Sequence, residues 1–172
     1  MCFFITIAVP TRSAELVRQQ YSTRQLTIST TTNASALAAA GADRVPLLVT
    51  GGGCSCAWYQ RPAAAESETK LARARAKYEK LGWSAAKIDR AIDAMQRTPR
   101  PDEGLHPVIL DLLRTIVTAH GPTAIWVHDF SGNVELEPYT ITRHEQWSSS
   151  SLAESAATLC PDVIAQLQPG NA

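Results

Sequence analysis

Phe3-Phe4-Ile5-Thr6-Ile7-Ala8-Val9 is the stretch on which the fold turns. Alternation along an extended chain puts Phe3, Ile5, Ile7 and Val9 on one face, while Phe4 and Ala8 make the other face nearly apolar too. A strand buried on both faces belongs in the interior of a sheet. Pro10 ends it, and Ser13 stands where it can N-cap a short helix from Ala14 to about Tyr21.

Working outward, Gln25 to Thr31 alternates Leu26, Ile28 and Thr30 against Thr27, Ser29 and Thr31, the pattern of a second strand. Asn33 caps a short alanine-rich helix that Gly41 closes. Val45 to Thr50 reads as a third strand, and the chain from Cys54 to Tyr59 either returns as a partner strand or continues as a loop. The middle of the chain is helical. Pro62 suits the first turn of a helix ended by Gly82, with Leu71, Ala74, Tyr78 and Leu81 as its apolar stripe. Ser84 caps the next helix, flanked by Trp83 and Ile88 at hydrophobic-staple positions, and Ile88, Ile92 and Met95 form its buried face.

Thr98 to Gly104 is the most linker-like segment, yet its length suits an ordinary connection better than a domain boundary. Pro107 opens a helix with Ile109, Leu113, Ile116 and Val117 inward, and Gly121-Pro122 closes it. Thr123 to Phe130 is a strand, and Val134 to Trp147 carries at least one more. Ser151 and Glu154, at capping-box spacing, predict a C-terminal helix broken at Pro161. The order of elements gives an α/β or α+β sandwich over 1–172. It has a mixed sheet of about five strands, a helical insertion between the third and fourth, and a frayed tail over 168–172.

The bulk numbers bound the function classes. A chain of 172 residues with 45% hydrophobic residues can bury a core of its own. Sixteen basic residues balance sixteen acidic ones, which argues against a whole-protein attraction to nucleic acid or anionic lipid. No apolar run approaches the roughly 20 residues of a membrane span. The apolar start from Cys2 to Val9 has no basic residue before it and reads as a strand, not a signal peptide, so the expected compartment is the cytoplasm. In that reducing setting Cys2, Cys54, Cys56 and Cys160 are thiols or metal ligands, not disulfides.

The chemistry concentrates in Gly51-Gly52-Gly53-Cys54-Ser55-Cys56-Ala57-Trp58-Tyr59. Three readings compete there. A Cys-x-Cys pair puts two soft sulfurs on one side of an extended backbone, suited to Zn²⁺ or Cu(I). Cys2 is a third ligand if the first and third strands are neighbours, and one of His106, His120, His128 or His144 can complete the set, although their own spacing marks no metal site. Alternatively, the amides of Gly51, Gly52 and Gly53 form an anion nest beside a nucleophilic Cys54, with His128 or His144 as candidate bases that the sequence does not place. The third reading makes the cysteines small buried hydrophobes beside a tight turn, with Trp58 and Tyr59 in the core. This last is the expectation carried forward, with no cofactor and no catalytic residue assigned; Zn²⁺ is the alternative. Cys2 also occupies the place of the N-terminal nucleophile of class II amidotransferases, but that likeness ends at the first two residues.

Other charged features have plain explanations. Lys70, Arg73, Lys77 and Lys80 form a basic stripe whose default reading is a solvated helix face, interrupted by Glu79. The pairs His128-Asp129 and His144-Glu145 are adjacent in sequence, so in a strand they point to opposite faces and make no dyad of their own.

Met1-Cys2-Phe3-Phe4-Ile5-Thr6, Cys54-Ser55-Cys56 and Lys77-Tyr78-Glu79-Lys80-Leu81-Gly82-Trp83-Ser84 together resemble a set of small uncharacterised bacterial proteins. They share this kind of opening, a CSC turn and a helix–GWS–helix segment. The resemblance spans most of the chain and implies a bacterial, cytoplasmic protein without implying an activity. Two functions are carried from here. The first is a non-enzymatic binding protein, such as an immunity or antitoxin-like inhibitor that meets a protein partner through Trp58, Tyr59 and the helical segment. The second is a thiol-dependent metal-binding or redox protein centred on Cys54 and Cys56.

Overall fold

The computed structural model describes residues 2–23, 25–62, 67–96 and 104–169. In chain order the elements are β1 (Cys2–Pro10), a 3-10 turn (Thr11–Ser13), α1 (Ala14–Tyr21), β2 (Thr27–Thr30), α2 (Ala34–Ala40) and β3 (Arg44–Thr50). There follow β4 (Tyr59–Gln60), α3 (Ser67–Lys80), α4 (Ala85–Gln96), β5 (Gly104–Leu105) and α5 (Pro107–His120). The chain closes with β6 (Thr123–Phe130), β7 (Arg143–Ser148), α6 (Leu152–Ala156) and β8 (Val163–Gln168).

Six strands form one sheet in the order β2-β3-β1-β6-β8-β7, and β4 and β5 pair as a separate two-stranded sheet. The fold is α+β. β1 runs antiparallel to both β3 and β6, in the interior position its two apolar faces require. The pairing of β7 with β8 is parallel, which makes the sheet mixed. The short sheet and helices α3, α4 and α5 all lie between β3 and β6, the third and fourth strands of the main sheet.

Alternation sorts the side chains into two cores. On one face Ile5, Ile7 and Val9 join Val49 and Val127 beneath Val17 of α1, Ile109, Leu113 and Ile116 of α5, and Leu152 of α6. On the other, Ala8, Ala124, Trp126 and Ile164 meet Ala36 and Ala40 of α2, with Tyr139 and Ile141 packed against them. Small residues at that second face let α2 come close, and the Asn33 side chain fixes its start by accepting from the Ser35 and Ala36 amides. α5 begins at Pro107, and His106 Nδ1 accepts from the Val108 amide at 3.2 Å.

Helices α3 and α4 pack on each other. Tyr78 and Trp83 stack with centroids 4.4 Å apart, and Lys87 lies over the Trp83 ring. Ile88 and Ile92 are buried but belong to neither sheet core. Arg73, Lys77 and Lys80 are exposed, as a solvated stripe requires. The side chains of Lys70 and Met95, the Pro62-led first turn and the segment from Thr98 to Glu103 lie outside the described residues.

Two expectations are corrected at the C-terminus. The predicted C-terminal helix is only α6, a single short turn whose Ser151 makes no side-chain cap. Beyond Pro161, Val163–Gln168 is strand β8, inserted between β6 and β7. Gln168 therefore pairs with Ser148 and is no part of a frayed tail; residues 170–172 lie outside the described residues. The burial of Val163, Ile164, Ala165 and Leu167 is the physical reason, because an interior slot in the sheet outweighs a local helix start. Sheet β4–β5 was also unforeseen. Gly104 permits it, with a φ of +86° and a Cα so close to α6 that a β-carbon would lie 2.3 Å from the Ala156 carbonyl oxygen.

Candidate functional site

β1 and β3 leave one end of the sheet side by side, and the turn after β3 folds back onto the start of β1. Ser55 anchors it. Its hydroxyl accepts from the Ile5 amide at 2.8 Å and donates to the Val49 carbonyl, while its own amide donates to the Phe3 carbonyl at 2.8 Å. The side chain is fully buried and bridges the two strands where their ladder ends. With Ser55 turned inward, Cys54 and Cys56 on either side of it are held at the surface.

Cys2 enters from β1. The ligand atoms of Cys2, Cys54 and Cys56 all lie within 4.8 Å of one another. Cys2 and Cys56 are exposed and Cys54 is half-buried, so the cluster faces solvent. The Phe3 amide donates to Cys56 Sγ at 3.3 Å. Proximity makes the thiols unequal. The Cys56 backbone N–H and then its thiol donate to the Cys54 sulfur, with a smaller contribution from Cys2, and together they hold Cys54 below the ordinary thiol range against the effect of burial. Burial pushes Cys56 up, and a neighbouring Cys54 thiolate adds to that. Such a cluster loses one proton readily and resists losing the next.

The expectation that the cysteines are buried small hydrophobes is corrected here. The strand-end turn is present, but its inward residue is the serine. The glycines shape that turn, and the Gly51 amide of the expected nest is already used, donating to the Cys54 carbonyl at 2.8 Å. Gly52 and Gly53 take positive φ, and a β-carbon on Gly51 would lie 2.5 Å from Trp58 Nε1. Trp58 lies edge-on to His106 with its indole nitrogen buried, and the His106 amide donates to its carbonyl at 2.9 Å. Tyr59 is in the core at 2% exposure, its hydroxyl donating to the Leu159 carbonyl at 2.8 Å. Burial raises its pKa. That residue cannot serve as the exposed interface anchor considered for it.

No histidine joins the sulfurs among the described residues. His128, a candidate base for Cys54, faces the second core. Its Nδ1 pairs closely with the Asp162 carboxylate, and its ring stacks on Tyr139 with centroids 4.3 Å apart. Asp129, its sequence neighbour, goes instead to Arg61 at 3.0 Å. His144 is exposed on β7, at the far edge of the sheet. Cys160 lies outside the cluster, its thiol raised by burial. Sequence reasoning missed Ser55 and Asp162; only the hydroxyl's place between two cysteines hinted at the first.

The arrangement can offer up to three soft sulfur ligands to one ion. Two sulfurs bound to one zinc at about 2.3 Å sit roughly 4 Å apart, so these three need move little to converge. No helix among the described residues is long and apolar enough to cross a membrane. Comparison with protein-family models, with curated proteins and with solved structures finds no match to this chain.

Proposed function

We propose that this protein binds a thiophilic metal ion through Cys2, Cys54 and Cys56, in a reducing cytoplasm that leaves those thiols free. The observation that carries the reading is the convergence of three sulfurs, from two separate segments, within 4.8 Å of one another. Soft thiolates select soft or borderline ions such as Cu(I) and Zn²⁺. A buried serine that aims its two cysteine neighbours at the N-terminal strand is the kind of supporting contact a ligand set needs.

The protein-inhibitor reading draws no comparable support, because Tyr59 is in the core and Trp58 is half-buried against Gly51 and His106. The test is elemental analysis of the reduced chain after dialysis against Zn²⁺ and, separately, Cu(I) with a reductant. The expected result is one ion per chain, absent from a variant with Cys2, Cys54 and Cys56 all changed to Ser. Equal metal content in the two proteins overturns the proposal.

A further inference from the structure

Resting on that metal-binding reading, we infer that the ligand class this site fits best is a trivalent thiophile that needs only three sulfurs, with arsenous acid, As(OH)₃, as its simplest member. The donor set carries this. Cys2, Cys54 and Cys56 converge, and among the described residues no histidine, aspartate, glutamate or fourth cysteine joins them. A closed tetrahedral zinc site asks for four ligands. Trivalent arsenic forms three bonds and keeps a lone pair in the fourth direction, so three sulfurs complete its shell, and the exposure of Cys2 and Cys56 leaves the cluster open to an incoming ligand.

Charge balance points the same way. Three thiolates on Zn²⁺ or Cu(I) leave an anionic centre that calls for a compensating cation. Three thiolates on As(III) leave a neutral one.

The reaction balances without an oxidant or reductant. Each of the three thiols gives its sulfur to arsenic and its proton to a departing hydroxide. Three As–O bonds break, three As–S bonds form and three waters leave, with arsenic trivalent throughout. Cys160 lies outside the set and stays free.

The experiment incubates the reduced full-length chain with sodium arsenite in excess glutathione, then reads native mass and counts alkylatable thiols by peptide mapping. The expected product carries one arsenic in place of three hydrogens, protects Cys2, Cys54 and Cys56, and leaves Cys160 open. Retention should fall about 100-fold in each of Cys2→Ser, Cys54→Ser and Cys56→Ser, because each loses one arm of a chelate, and should not change in Cys160→Ser. Circular dichroism of each variant checks that the fold is kept. If arsenite holds only two thiols or is stripped by glutathione while Zn²⁺ or Cu(I) is retained, this inference falls and the metal-binding reading stands. If neither arsenite nor either metal ion is retained, both fall.

Discussion

Two groups of chemically capable side chains sit near the same end of β1, and they differ in how much of their bonding capacity the protein already uses. Cys2 lies opposite Phe130 in the ladder and Phe4 opposite His128, so the cysteine cluster and the His128 assembly are close neighbours in register. His128 already has a partner on one ring nitrogen and aromatic neighbours around its ring. Asp162 takes Nδ1, Tyr139 covers a face, Phe130 meets the ring edge-on at 4.5 Å, and the Tyr139 hydroxyl accepts from Trp126 Nε1 at 2.7 Å. Burial raises Tyr139 to about 12, so it stays a neutral phenol in that stack. Among the described residues the cysteine sulfurs have one another and two backbone amides as partners. A histidine beside a carboxylate looks more like a catalytic device than three thiols on a turn. Here that pair is tied into an aromatic stack, whereas the sulfurs keep more of their bonding capacity.

The comparison breaks first at His128. If its role is structural, His128→Ala should destabilise the chain by about 2–3 kcal/mol, through the lost ring volume and aromatic contacts. Asp162, at a φ of +65°, would also lose the partner that its backbone conformation presents. Metal retention by the cysteines should be unchanged. Urea unfolding measures the first and elemental analysis the second. A variant that keeps full stability but loses metal would reverse the roles assigned to the two groups.

A smaller effect is expected at Ser55, which links the fold to the site. Ser55→Ala removes only the hydroxyl but leaves the Ile5 amide and the Val49 carbonyl without their buried partner, at a cost of about 1–2 kcal/mol. Because the same hydroxyl orients the turn, metal retention should weaken as well. Full stability together with full retention would show that the turn holds its shape without the serine.

How much of this could be read from residues alone follows the same division. β1, β3 and β6 were legible because each is an apolar run rich in Val, Ile and aromatic or leucine side chains with a Pro or Gly at one end, the mark of a buried strand. β8 was not. Val163-Ile164-Ala165-Gln166-Leu167 is too short for its period to tell helix from strand, and Ser151 with Glu154 pointed to a helix nearby. The two residues of β4 and of β5 carry no periodicity at all. In the site, Cys54 and Cys56 announce themselves, whereas Cys2 joins them only because β1 and β3 pair. That condition could be stated from the sequence but not decided. His128 and Asp162 are 34 residues apart in regions with no shared pattern, so their pairing is a product of β8 docking beside β6.

The finest test concerns protons. Cys54 is held below the ordinary thiol range chiefly by the Cys56 backbone N–H, and only then by the neighbouring thiols. Its alkylation rate against pH, followed by peptide mapping, should therefore have a midpoint on the acid side of a free cysteine, and that shift should vanish in urea. Because the leading donor is backbone, Cys56→Ser should retain most of the shift. The sign of the linkage is fixed by the same ordering. A thiol whose folded pKa is depressed stabilises the fold above its unfolded pKa, and that contribution is lost as pH falls through the folded value. The contribution is small here, because the group is near solvent. Metal retention should weaken in the same direction, since below the Cys54 pKa protons compete for the first sulfur to bind. If Cys54 titrates like a free cysteine in the folded chain, its sulfur does not receive these hydrogen bonds.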